Sequence, residues 1–115
     1  MELLNEEEIV SIEINLEELK KNKLNESFLG MFGTAIKMIL DRMFSPKSAL
    51  LDKYTITGKR DDISSFARTL GREKRYLQSA QKHGLDNERT FKDKRKLEKA
   101  IANFQKDTGL KWPFK

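Results

Sequence analysis

Small enzymes draw their chemistry from histidine, cysteine and convergent acid–base sets, and this chain has almost none of these. Its 115 residues include one histidine, His83, and no cysteine. His83 stands directly before Gly84, a helix-stopping residue, where support of a helix terminus is a more natural role than proton transfer. No Ser/His/Asp spacing, phosphate-cradling glycine loop or metal-ligand cluster occurs, so no catalytic, cofactor or metal site is expected. An enzyme built on this sequence would have only carboxylates and lysines to work with. The chemistry that the residue types do support is ionic. Arg68, Arg72, Arg75 and Lys82 recur at helical spacing within about 80° of one another, and Lys92, Arg95, Lys96, Lys99 and Lys106 gather likewise further on. Cations in such stripes can neutralise phosphates and release their counterions. Arg68, Arg72, Arg75, Lys82, Lys92, Arg95 and Lys99 are therefore candidate contacts to a nucleic-acid backbone. The plainer alternative is a solvated face that keeps a small helical protein in solution. No aromatic RNA-binding strand, zinc-finger spacing or helix-turn-helix accompanies these cations.

Charge is divided unequally along the chain. Residues 1–57 hold seven Lys/Arg against ten Asp/Glu, a balance of −3, whereas residues 58–115 hold sixteen against eight, a balance of +8. Such polarity allows one end to meet a polyanion and the other to meet a different partner or another copy of the chain. Glu6, Glu7, Glu8, Glu13, Glu17 and Glu18 make up most of the acidic end, either as a solvated terminus or as a surface for a neighbour's basic half. The absence of cysteine excludes disulfides and thiolate metal sites. An acidic N-terminus lacks the features of a secretory signal, and the apolar stretch from Phe28 to Ile36 is too short to span a bilayer. No membrane partner is expected, and a cytoplasmic setting is.

The elements that must carry these charges follow from apolar periodicity. Val10, Ile12, Ile14 and Leu16 alternate with polar residues, which marks a half-buried strand. Asn15 can cap a short helical turn, with Glu18 answering from the third position. Phe28, Leu29, Phe32, Ile36, Ile39, Leu40 and Met43 define a helix over 26–44, capped by Asn25 and ended by Ser45-Pro46, with Met31, Ala35 and Phe44 widening its stripe. Gly30 and Gly33 weaken it by roughly 1 kcal/mol each, a cost offset if another backbone approaches closely. Met31, Met38 and Met43 are candidate contacts to a partner helix, although methionine at this spacing is usually core. Residues 54–57 form a second strand.

A helix over 62–83 buries Ile63, Phe66, Ala67, Leu70 and Leu77, with Asp61 or Asp62 as cap and Gly84-Leu85 as a Schellman stop. The last helix starts at Thr90, with Asp93 completing a capping box, buries Leu97, Ala100, Ile101 and Phe104, and stops at Gly109-Leu110. The fold class expected is mainly α (α+β): three principal helices and two short strands in the order β-α-β-α-α. Three segments follow: an acidic N-terminal arm with one strand over 1–24, a helical core over 25–109, and an aromatic tail over 110–115. Two short strands make no stable sheet alone, so they pair beneath the helices or extend a partner's sheet. The tail holds the only Trp; it folds back as a lid on its own helices or anchors a partner. Val10, Ile12, Ile14, Trp112 and Phe114 are the candidate partner contacts.

Several stretches in the second half resemble small proteins encoded by tailed bacteriophages. These are Glu73-Lys74-Arg75-Tyr76, His83-Gly84-Leu85-Asp86-Asn87, Arg89-Thr90 and the ending Thr108-Gly109-Leu110-Lys111-Trp112-Pro113-Phe114. Ser27-Phe28-Leu29 and Met31-Phe32-Gly33 fit the same resemblance, which spans about residues 27–115. None of these motifs is catalytic. The resemblance implies a virion or head-assembly protein, such as a prohead-core component. Its partners would be other virion proteins or further copies of itself, in the virion or the host cytoplasm. A DNA-binding accessory role through the basic helices is the alternative, and a regulator of a host enzyme a third.

Overall fold

The computed structural model describes residues 11–44 and 53–114. Val10, the acidic residues Glu6 to Glu8 and the Ser45-Pro46 stop lie outside the described residues. Six elements follow in order: β1 (Ser11–Asn15), α1 (Leu16–Lys21), α2 (Glu26–Met43), β2 (Lys53–Thr57), α3 (Arg60–His83) and α4 (Glu88–Thr108). The fold is mainly α with a two-stranded sheet, and with the one-turn α1 set aside its order is β-α-β-α-α. The chain divides into two compact units, Met1–Thr57 and Gly58–Lys115. That division differs from the expected arm, core and tail. α2 belongs with both strands, and the tail belongs with α3 and α4.

In the first unit, alternation along β1 turns Ile12 and Ile14 inward and leaves Ser11, Glu13 and Asn15 exposed. Asn15 then switches the chain to helix: its Oδ1 accepts from the Glu18 N–H at 3.0 Å. Leu16 and Leu19 continue the buried face. Asn22 ends α1, its backbone N–H and its side-chain amide both donating to the Glu18 carbonyl, at 3.2 and 2.9 Å. Asn25 restarts the helix by accepting from Ser27 and Phe28 N–H at 2.9 and 3.3 Å. α2 buries Phe32, Ile36, Ile39 and Leu40. The strands pair with each other, in parallel, with Ile12 opposite Tyr54 and Ile14 opposite Ile56. A parallel pair needs a crossover longer than a tight turn, and α1 and α2 lie within that crossover.

Three expectations for α2 fail. Met31 and Phe44 are not part of the core stripe; they are 67% and 36% exposed. No backbone approaches Gly30, whose missing Cβ would meet nothing within 4 Å.

In the second unit, α3 and α4 form a hairpin whose caps differ from those expected. Lys59, not an aspartate, precedes α3 and makes no side-chain cap bond; Asp61 and Asp62 sit in the first turn, where they complement the helix dipole. Asn87, not Thr90, caps α4 by accepting from Arg89 N–H at 2.8 Å. Thr90 lies one turn further in and buttresses the corner, its hydroxyl donating to the Gly84 carbonyl at 2.7 Å and the Ser79 carbonyl at 3.2 Å. Asp93 accepts from the Ser79 hydroxyl. Midway along, the Thr69 hydroxyl donates to Ser65 O at 2.8 Å and to Ala100 O across the hairpin at 3.3 Å.

Both helices end at a positive-φ glycine, Gly84 (φ 85) and Gly109 (φ 76), where a side chain would be strained. The outcomes diverge at the next residue. Leu85 is 64% exposed and makes no hydrophobic closure, whereas Leu110 is buried and leads the tail back over the hairpin.

Candidate functional site

The tail decides which surfaces of the second unit remain available. The Leu110 N–H donates to the Thr108 hydroxyl at 3.1 Å, and the Trp112 N–H to Gln105 Oε1 at 3.1 Å, which reverses the chain after Gly109. The Trp112 ring then packs on Phe66 and Phe104 at centroid separations of 5.9 and 5.4 Å, the second edge-on at 81°. Its indole N–H donates to Glu73 Oε1 at 2.9 Å. Burial pushes the Glu73 carboxyl above its ordinary range, and the indole hydrogen bond opposes that rise in part. Trp112 is thus a core residue, which corrects its assignment as a partner contact: a buried, hydrogen-bonded indole offers no surface to another protein. Ile12 and Ile14 are also buried, beneath α2 at the floor of a groove in the first unit, and Phe114 is half-buried. Val10 lies outside the described residues.

With the aromatic side of the hairpin filled, its cations occupy the other side. The seam between α3 and α4 runs through Thr69, Ser79, Thr90, Asp93 and Ala100. At about 100° of rotation per residue, Phe66 falls on one side of that seam and Phe104 within its arc on α4, where both meet the Trp112 ring. Arg68, Arg72 and Arg75 from α3 and Lys92, Lys96 and Lys99 from α4 fall on the other side, and Arg89 in the first turn of α4 joins these six there. Arg72 is half-buried beside the seam, and the other five are exposed. The antiparallel course sets Thr69 level with Ala100, so Arg72 and Lys96 face the same stretch of the outer surface. None of the six makes an ion pair among the described residues.

The other predicted cations fall outside this cluster. Lys82 lies at its margin in the last turn of α3, and Arg95 projects from the flank of α4 turned away from α3. Lys96, by contrast, takes a central place. Its relation to Ala100, one turn on and at the seam, is the sequence signal for that position, but it becomes readable only once Ala100 is known to face α3.

Among the described residues no group of three His, Cys, Asp or Glu side chains converges as a metal site. None of their helices is long and apolar enough to cross a membrane. No protein family, curated protein or solved structure matches the chain.

Proposed function

We propose that this is a non-enzymatic binding protein whose Gly58–Lys115 unit holds a nucleic-acid phosphate backbone on the outer face of the α3–α4 hairpin. The observation that carries the reading is the set of these six cations, with Arg89 beside them, on one face of two helices, none of them neutralised by an ion pair among the described residues. Rigid helices fix the spacing of the charges, and hydrogen bonds across the seam fix the two helices to each other. Such a surface recognises charge density and not base sequence.

Six phosphate contacts predict a log–log salt dependence of affinity with a slope of about −5 on duplex DNA. Arg72→Ala and Lys96→Ala are each expected to make that slope shallower by about one, while Arg95→Ala changes it less. Filter binding or fluorescence anisotropy of the full chain between about 50 and 200 mM salt reads both quantities. No DNA retention at the lower salt, or slopes indifferent to Arg72 and Lys96, would discard the reading.

A structural or capsid-assembly role in a tailed phage, acting through protein–protein contacts, is the second reading. It is favoured by the apolar side chains that the first unit leaves in solvent, Met31 and Met38 on α2. Mass spectrometry of purified particles tests it: a reproducible copy number supports an assembly role, and absence from the particle removes it.

A further inference from the structure

The first unit carries an open groove of about 810 Å³ along β1 and α2. All five residues of β1 border it and none of β2 does, so it follows the edge of β1 that faces away from its partner strand. Among the described residues the sheet has two strands, so β1 has an outer edge whose backbone N–H and C=O groups lack a strand partner. The α2 wall of the groove is apolar, formed by Phe28, Met31, Ala35 and Met38, with Met31 67% and Met38 43% exposed. The wall is open at Gly30, where even a Cβ would touch nothing. Among the described residues the charged side chains bordering the groove are Glu13 and Glu18, with no Lys, Arg or His.

We propose that this groove is a strand-addition site that takes an extended segment of a partner protein with alternating apolar and basic residues. Pairing along β1 would satisfy the free edge by backbone hydrogen bonds. Successive side chains of an added strand point to opposite faces. One set would lie on the Ile12/Ile14 side, against the flexible methionines of α2, which adapt to varied apolar shapes. The other would lie on the Glu13 side, where a lysine or arginine directly opposite gains a cross-strand ion pair and an acidic residue is repelled. The acidic groove thereby selects basic strands and rejects acidic ones. The site is independent of the phosphate-binding reading, because it uses no residue of α3 or α4.

The test titrates the full chain, without nucleic acid, into a fluorescent capped peptide of about seven alternating isoleucine and lysine residues, a length matched to a five-residue strand. Saturable binding is expected. Glu13→Lys and Met31→Glu, both at exposed positions and checked for folding by circular dichroism, should each weaken it at least tenfold. N-methylation of alternate peptide bonds should abolish binding in one of its two registers, because it removes the edge hydrogen bonds on that side. The proposal is overturned if both N-methylated registers bind like the parent, or if a glutamate-for-lysine peptide binds equally well. Insensitivity to both substitutions overturns it too. So does a concentration-dependent dimer that the peptide fails to dissociate, which would assign the groove to a second copy. If deleting residues 1–10 is needed before any peptide binds, the groove belongs to this chain's own N-terminal segment.

Discussion

The two units differ in how their cores are closed, although the basic unit too leaves large apolar side chains in solvent, Leu85 and Phe91 near the α3–α4 corner. In the basic unit, Phe66, Phe104 and Trp112 meet ring against ring and are each at most 2% exposed. In the acidic unit, α2 keeps Phe32, Ile36 and Ile39 inside but presents Met31 and Met38 to solvent beside an open strand edge. The basic unit therefore offers charge on a rigid support, and the acidic unit offers an apolar, adaptable groove. Sealing one face of a hairpin removes that face from binding, whereas a sheet left at two strands keeps an edge that can bind backbone. The same contrast recurs on a smaller scale at the two Gly-Leu helix stops. Gly109 hands the chain to a buried Leu110, while Gly84 hands it to an exposed Leu85.

The largest expected effect breaks the sealed side of this comparison. Trp112→Ala removes two ring contacts and leaves the buried Glu73 without its indole partner, so a loss of about 3–5 kcal/mol in stability is expected by urea unfolding. Met38→Ala in the open groove should change stability by less than about 0.5 kcal/mol. Equal losses from the two would erase the distinction between sealed and open surfaces.

Backbone entropy gives a smaller effect, shared by both units. Gly30 and Gly71 are exposed helical positions with free space at the missing Cβ and no positive φ. Gly30→Ala and Gly71→Ala should each stabilise the chain by up to about 1 kcal/mol, read as a rise in thermal midpoint. A fall at Gly30 would mean that the groove wall is occupied and not open.

The smallest effect depends on pH. Because burial raises the folded-state pKa of Glu73, the folded chain holds that proton more tightly than the unfolded chain does. The resulting stability is fully present below the unfolded value and is lost as pH rises through the raised folded value. Glu73→Gln keeps an oxygen for the Trp112 indole without a charge to bury. It should therefore raise the thermal midpoint at neutral pH, with the advantage shrinking towards pH 4. An advantage that does not change with pH would show that the Glu73 charge is irrelevant to the sealed core.

Much of the fold was legible because it is local. Asn15 and Asn25 cap their helices as their spacing predicts, the Ile12/Ile14 alternation makes a strand, and Gly109-Leu110 stops α4. Local signals failed where two residues compete for one job. Asn87 takes the cap predicted for Thr90, because the threonine hydroxyl is drawn to the Gly84 and Ser79 carbonyls, which only the folded hairpin brings near. The basic stripes were legible as stripes, but their union into one face was not. Periodicity fixes angles within a helix, and the rotation of one helix against another depends on seam contacts such as Thr69 to Ala100.

Sequence by itself determined the element order, the charge of each half and the lack of any thiol, because composition and short-range periodicity carry these directly. Tertiary structure alone decided three matters. It joined the strands to each other in parallel, committed Trp112 to the core instead of to a partner, and gathered Arg68, Arg72, Arg75, Lys92, Lys96 and Lys99 onto one surface. Each depends on residues distant in sequence meeting in space, and their mutual burial and hydrogen bonding select one arrangement among several that the local pattern permits.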